Sequence, residues 1–415
     1  MIARVGPDAM AQLVALVVED SAVQRSHLVS LVRDLRIGTV LDAADGLEAL
    51  RLLEQQPQRR IFLLITDVDM PGMDGIELIG RLAEGSQVDN LIVTSARDPR
   101  LLETVESMGM GDERLRLLGT MPKPVTAAAL TRLLDHAQSN SGAPGRPRFQ
   151  PRPDEISRAL TADEFIPFFQ PKVSVSTGLT QGVEALARWQ HPRHGLLGPQ
   201  AFIPHMQGTP LMARFTLSII EQALRHLMVW TQAQPSLSLS LNLSADDLAD
   251  PGFIGQLTEL VTRYGASPAS IIWEVTETMI MNSRSMANLA RLGLKGFGLS
   301  MDDYGIGYSS MQTLARSPFT EVKIDRMFVN GACDRRNRRA ILTSSLDMGR
   351  RLEITTVAEG VETMEDWQLL SDLGCEVAQG YLIARPMPAA ELLTWIPEHR
   401  ARLRALARSS RPRRE

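Results

Sequence analysis

The sequence predicts two α/β domains in tandem: a doubly wound, flavodoxin-like parallel sheet followed by a larger (β/α)8 barrel of the TIM type. Three observations predict this. Short uninterrupted apolar runs alternate with helical periodicity along most of the chain, the pattern of strands buried on both faces between helices. One break interrupts the alternation: "QSNSGAPGRPRFQPRPDE" (138–155) has no apolar period and reads as a linker. It leaves about 135 residues before it and about 250 after it, the latter the usual size of such a barrel.

The first domain spans 12–137. Its strand candidates are "LVALVV" (13–18), "GTVLDA" (38–43), "IFLLIT" (61–66), "NLIVTS" (90–95) and the weaker "LRLLGT" (115–120). Helical patterns such as "VQRSHLVSLVRDL" and "GLEALRLLEQQ" lie between them. The second domain spans 156–397 and offers eight runs: "IPFFQPKVSV", "LTQGVEALAR", "LSLSLN", "SIIWEV", "GFGLSMD", "EVKID", "EITTVAE" and "CEVAQGY". Long amphipathic stretches, "MARFTLSIIEQALRHLMVW" and "RRNRRAILTSSLDMGRRL" among them, separate many of these. No fixed-period repeat supports a solenoid. Residues 398–415 carry seven arginines and read as a frayed, solvated tail.

Composition narrows the function classes. A hydrophobic fraction of 44% and a charged fraction of 22% are those of a soluble globular protein. A net charge of −4 argues against a DNA partner. Two cysteines, Cys333 and Cys375, without a CxxC spacing fit a reducing cytoplasm. The run "LVALVV" is far too short to span a membrane, and "MIARVGPDAM" lacks the apolar core of a signal peptide. The expectation is a cytoplasmic protein with no membrane partner.

In a parallel α/β sheet, ligands meet the carboxyl ends of the strands. In the first domain those ends carry Glu19 and Asp20, Asp67, then Thr94 and Ser95, and Lys123 follows the fifth strand in "MPKP". Such acids form a hard oxygen cluster suited to Mg²⁺. Beside that ion Asp67 becomes a nucleophile toward a phosphoryl group, with Lys123 and a hydroxyl balancing the added oxygens. Helix capping by Asp20 before "SAVQRSHL" is the competing explanation. It accounts for one acid and leaves the convergence unexplained.

"VVED", "LLITDVDMPGMDG", "IVTSA" and "MPKP", in that order, make this segment resemble the response-regulator receiver domain. The resemblance implies Asp67 as phosphoacceptor, Glu19 and Asp20 as the acids of one Mg²⁺ site, and Lys123 as the phosphate-contacting lysine. It implies Ser95 as the switch hydroxyl, with Thr94 the alternative, and a cognate sensor histidine kinase as partner.

In the second domain, the polar residues that end or interrupt the apolar runs are Glu184, Asn242, Glu274, Asp302 with Asp303, Lys323, Glu359 and Gln379. Strand C-termini of a barrel meet at one mouth, so these distant residues gather there. Most offer oxygen and none is histidine, which argues against a His-rich zinc or haem site. Carboxylates so crowded repel unless cations bind, and the adjacent pair Asp302–Asp303 suits a bridge between two ions. Two divalent ions roughly 3.5–4 Å apart are the common arrangement for phosphoester hydrolysis. Lys323 is then placed to orient or deprotonate the attacking water, its pKa lowered by the metals. Blander readings attach to Asn242 before "LSADD", a turn and cap, to Trp189 and Trp273, packing, and to His191 and His194, loop residues.

"FFQP", "EALARW", "NLS", "WEVTE", "MDDYGIGYSS", "VKIDRMFV", "AEGVE" and "QGYLIARP" occur in order, and with them the chain resembles the EAL family of cyclic di-GMP phosphodiesterases. The resemblance implies hydrolysis of cyclic di-GMP to linear pGpG with two Mg²⁺ or Mn²⁺ ions. Glu184, Asn242, Glu274 and Asp302 would hold one ion; Asp302, Asp303 and Glu359 the other. Lys323 would serve the attacking water and Gln379 would help position it. Gln170, Arg188 and Asp325 would contact substrate, and Glu277 would brace the 303–310 loop. A homo-oligomer, a dimer or larger, is expected. The family's loop usually reads Asp-Phe-Gly-Thr-Gly, whereas Tyr304 and Ile306 stand here.

Overall fold

The computed structural model describes residues 13–56, 59–83, 87–95, 116–139, 149–281, 283–305, 314 and 317–409. The chain divides into two compact units, 1–147 and 148–415, and each is described by itself.

In the first unit β1 (Val14–Val18), β2 (Thr39–Ala43), β3 (Ile61–Asp67), β4 (Val88–Ser95) and β5 (Arg116–Pro122) form one sheet, ordered β2-β1-β3-β4-β5, with every pairing parallel. Each predicted run is a strand. β1 and β3 are buried along their full length because helices cover both faces, which is why they read as unbroken apolar runs. The order reverses between β1 and β3, the switch point at which α/β sheets hold ligands, and Glu19 and Asp67 sit there. The first helix, Ala22–Asp34, is capped by Ser21, whose hydroxyl accepts from Gln24 N. Asp20 is therefore not the cap.

In the second unit all eight predicted runs are strands: β6 (Phe165–Ser174), β7 (Thr180–His191), β9 (Ser238–Asn242), β10 (Ile271–Thr276), β11 (Gly298–Tyr304), β12 (Glu321–Ile324), β13 (Thr355–Ala358) and β14 (Val377–Ala378). They close in the order β6-β14-β13-β12-β11-β10-β9-β7, with β7 returning to β6, while β8 (Gly195–Leu197) extends β7 as a hairpin outside the ring. One feature departs from an all-parallel barrel: β6 runs antiparallel to both neighbours. The cause is the connection. Residues 175–179 join β6 to β7 by a tight turn in which Gly178 takes φ +69°, far too short for the crossover helix that a parallel pair requires. The main core packs Trp230, Leu257, Trp273, Phe297 and Leu299 between the ring and its helices.

The expected linker, 138–155, begins and ends within helices. The preceding helix runs to Ser139, and Pro153 opens the helix Pro153–Thr161, a favoured first-turn position. Phe149 packs edge-on against Trp189 and His191. His191 is the last residue of β7 and 2% exposed, not a loop residue: Nδ1 accepts from Arg193 N and His194 N, and Nε2 faces Glu155 at 3.2 Å. Trp189 is packed as expected, its indole N–H donating to Glu164 at 2.9 Å. The tail also differs from expectation. Helix Ala389–Ser409 continues through position 398, and His399 stacks on Trp395 one turn earlier and reaches Gly178 O at 2.8 Å.

Candidate active site

In the first unit the side chains expected at the strand ends meet. Carboxylate oxygens of Glu19, Asp20 and Asp67 lie within 4.8 Å of one another. Lys123 Nζ stands 2.6 Å from Asp67 Oδ2 and 2.7 Å from Glu19 Oε2. Burial raises the Glu19 carboxyl even against Lys123, and the two acids in turn hold Lys123 above its usual value although burial opposes its charge. Asp67 Oδ1 is buried without a hydrogen-bond partner, the free oxygen that a phosphoacceptor or metal ligand needs. Thr94 pairs in register with Asp67 and its hydroxyl donates to Thr66 O; Ser95 lies one position further, opposite Pro122. The residues fit one Mg²⁺.

In the barrel, the predicted groups converge on one ammonium. Lys323 Nζ lies 2.7 Å from Glu359, 2.9 Å from Glu274, 3.1 Å from Asp302 and 3.5 Å from Glu184. Asn242 Nδ2 donates to Glu184 Oε1 at 3.1 Å, and Ser244, not Asn242, caps the following helix. Gln379 Nε2 donates to Glu184 Oε2 at 2.6 Å and to Gln170 Oε1 at 3.0 Å. Gln170 in turn donates to Ala384 O, so both ends of its amide are engaged within the protein. Glu184 is not at a strand end: it sits mid-β7, because that strand runs on past the mouth to meet β8.

The Asp302–Asp303 pair has a backbone explanation. Successive residues of a regular strand point to opposite faces, so only one of two adjacent acids would reach the mouth. β11 carries a bulge here: Met301 pairs with Val322 and Tyr304 with Ile324, three steps against two. Asp303 takes φ +55°, and its N–H donates to Asp302 Oδ1 at 3.0 Å. The bulge turns both carboxylates toward Glu359, and oxygens of the three lie within 4.8 Å of one another. A left-handed non-glycine residue costs about 1 kcal/mol or more, a strain of the kind kept at functional sites.

The electrostatics are those of a cation site. Burial, then the Asp302 and Asp325 carboxylates, push Asp303 up to about 6. Burial, with Asp302 and Glu184, pushes Glu359 up to about 8 against the pull of Lys323. Glu274 is raised well above the carboxylate range by burial and by Glu184. Glu184 goes the other way: Lys323 and hydrogen bonds from Gln379 and Asn242 overcome its burial and hold it at about 2. For Lys323 burial opposes the charge, yet the surrounding carboxylates raise it well above its usual value. These carboxylates by themselves favour the Lys323 ammonium, whereas the lowering expected beside metals is an effect of the ions. With Glu274 Oε1 buried and lacking a hydrogen-bond partner, this all-oxygen set fits hard divalent cations such as Mg²⁺ or Mn²⁺.

Around the mouth, Arg188 is half-buried, donates to Ala187 O and feels the charge of Glu184. Asp325 caps the short helix Arg326–Val329 through Met327 N at 2.7 Å. Glu277 is buried beside β10, but residues 306–310 of the loop it was expected to brace lie outside the described residues. Three interior residues escaped the sequence reading: Lys172, Ser240 and Glu321. A signal existed, since Glu321 and Lys323 stand two apart on one strand and so share the inward face.

The fold and both clusters define a class, a receiver domain joined to a barrel with an acid-lined mouth, and the comparisons with known proteins agree. The EAL domain family matches residues 154–386 and the response regulator receiver domain matches 15–134. The chain belongs to the EAL domain family and carries a receiver domain before it. The cyclic di-GMP phosphodiesterase RocR of Pseudomonas aeruginosa is 33% identical over 397 residues, 93% of this chain and 99% of RocR. The bifunctional diguanylate cyclase/cyclic di-GMP phosphodiesterase MucR of the same organism is 37% identical over 242 residues, 58% of this chain but only 35% of MucR. Among solved structures, the PaMucR phosphodiesterase in complex with c-di-GMP superimposes with a TM-score of 0.56 at 37% identity, covering 58% of this chain and 98% of that one. Among the described residues no helix is long and apolar enough to cross a membrane.

Proposed function

We propose that this chain is a cyclic di-GMP phosphodiesterase that opens its substrate to linear pGpG with two divalent cations, under control of phosphorylation at Asp67. The observation that carries the reading is the convergence of Glu184, Glu274, Asp302 and Glu359 on Lys323, with Asp303 turned into the same mouth by the β11 bulge. Glu184, Asn242, Glu274 and Asp302 would hold one cation, and Asp302, Asp303 and Glu359 the second. When bound, the ions supply Lewis-acid activation and stabilise charge developing at phosphorus. Lys323, whose Nζ donates to the carboxylates around it, orients the attacking water. Gln379, tied to Gln170 and Glu184, fixes the floor on which that water sits. Arg188 faces a substrate phosphate, and Asp325 the substrate rim.

In the receiver, Asp67 attacks a phosphohistidine of a sensor kinase: an acyl–phosphate bond forms as the phosphorus–nitrogen bond breaks, with Lys123 and Ser95 meeting the new oxygens. Chromatography of cyclic di-GMP incubated with EDTA-stripped protein tests the activity; pGpG must appear on adding Mg²⁺ or Mn²⁺ and not before. Turnover that is unchanged both by beryllofluoride and by Asp67→Asn would remove the regulatory part.

A further inference from the structure

A second polar layer lies beneath the mouth. Lys172 on β6, 2% exposed, donates to Ser240 Oγ on β9 at 2.5 Å and to both Glu321 oxygens on β12 at 3.0 and 3.2 Å. Ser240 and Glu321 are themselves buried. Interiors of such barrels are ordinarily filled by branched apolar side chains. A buried ion pair is weak grounds for stability, since apolar replacement of similar volume is often neutral or better.

The neighbour that gives the layer a purpose is Glu274. Its Oε2 meets Lys323 at 2.9 Å, while Oε1 points down toward Lys172 Nζ at 3.7 Å and has no hydrogen-bond partner. An ammonium has three donors, and those of Lys172 are committed to Ser240 and Glu321. Lys172 therefore attracts Glu274 Oε1 by charge without occupying its lone pairs. A lysine that hydrogen-bonded Glu274 would compete with a cation for it; one held back by other acceptors orients it and leaves it free.

We infer that Lys172, fixed by Glu321 and Ser240, is a positioning residue that aims the Glu274 carboxylate at the divalent cations of the mouth. The inference rests on the metal-dependent reading above. Groups that orient a ligand from behind are typically worth about 10–100-fold in metal affinity. The test is calorimetric titration of Mn²⁺ into the full-length protein and into Lys172→Met/Glu321→Met, which removes the pair together and keeps the net charge. The expected result is a folded variant, by circular dichroism and Tm, that binds Mn²⁺ at least about tenfold more weakly. At saturating Mn²⁺ its KM for cyclic di-GMP stays that of the wild type. A pair with a structural role alone moves Tm and not the isotherm, so an Mn²⁺ Kd within twofold of wild type overturns the inference. Should the double variant not fold, Ser240→Ala removes one acceptor from the Lys172 cradle; a measurably weaker isotherm is expected, and one superimposing on wild type overturns it. Wild-type protein that neither binds Mn²⁺ nor cleaves cyclic di-GMP overturns the functional reading itself, whereas wild-type binding and turnover with an unaffected variant overturns only the role of Lys172.

Discussion

Substituting Gly380 by alanine should disable the barrel site without touching a charged group. The loops after β13 and β14 carry Glu359 and Gln379 and are laced together: Gln379 N donates to Ala358 O, Val361 N to Gln379 O, and Leu382 N to Val361 O, each at 2.9–3.0 Å. A Cβ on Gly380 would lie 2.2 Å from both N and O of Val361 and 2.7 Å from its carbonyl carbon. These are backbone atoms, so no side chain can rotate away. Reaching ordinary contact near 3.4 Å means parting the loops by 3.4 − 2.2, or 1.2 Å. A misplacement of about 1 Å costs on the order of 10²-fold in rate, about 2.7 kcal/mol of barrier. Overpacking of this kind destabilises by about 1–3 kcal/mol, and each kcal/mol lowers Tm by about 2–4 °C in a domain of this size. Initial rates of pGpG formation and a thermal melt measure both. Gly255→Ala is the control: it lies in the helix Pro251–Tyr264 with nothing near its Cβ position, and should raise stability by about 0.5–1 kcal/mol with turnover unchanged. Gly380→Ala with a kcat within threefold of wild type and an unshifted Tm would refute the reasoning.

Other perturbations probe separate parts. Lys323→Met should lower kcat by about 10²–10⁴-fold while Mn²⁺ binding holds or tightens, because the substitution removes an ammonium from among the proposed ligands; calorimetry beside kinetics separates the two. Metal-free protein should lose stability as pH rises from 7 to 9. Glu359 is held up to about 8, above its unfolded value, so the folded state keeps a proton that the unfolded state has already released. The slope is at most about 1.4 kcal/mol per pH unit, and Glu359→Gln should flatten it in melts under EDTA. Cys375 is buried with its thiol pushed up to about 11, whereas Cys333 is exposed. Iodoacetamide at pH 8 should therefore label Cys333 alone in native protein, as peptide mass mapping would report.

Much of this architecture is legible in the sequence, for a physical reason. Strands buried on both faces are written in Val, Ile and Leu without interruption, so "IFLLIT" and "SIIWEV" announce themselves, and a polar residue within or just after such a run marks a site. What stayed hidden depends on backbone geometry or on pairing between strands. The bulge that brings Asp303 beside Asp302 follows from a register between β11 and β12 that no local pattern encodes. The antiparallel course of β6 was in principle readable from the short connection around Gly178, but strand candidates alone carry no direction. Lys172 lies in "FFQPKVSV", where a lysine in alternation looks like the solvent face of a strand. Only its partners across the barrel, Ser240 and Glu321, reveal it as buried. His191 was misplaced for a related reason, since "HPRHG" has loop composition although β7 extends into it to meet β8.

The most direct test of the central claim compares wild type with Glu184→Ala in Mn²⁺, following cyclic di-GMP and pGpG by anion-exchange chromatography. Glu184 joins Lys323, Asn242 and Gln379, so its loss should abolish product while the variant stays folded. Product formed at the wild-type rate by the variant, or none formed by the wild type, would contradict the assignment of this mouth as the hydrolytic site.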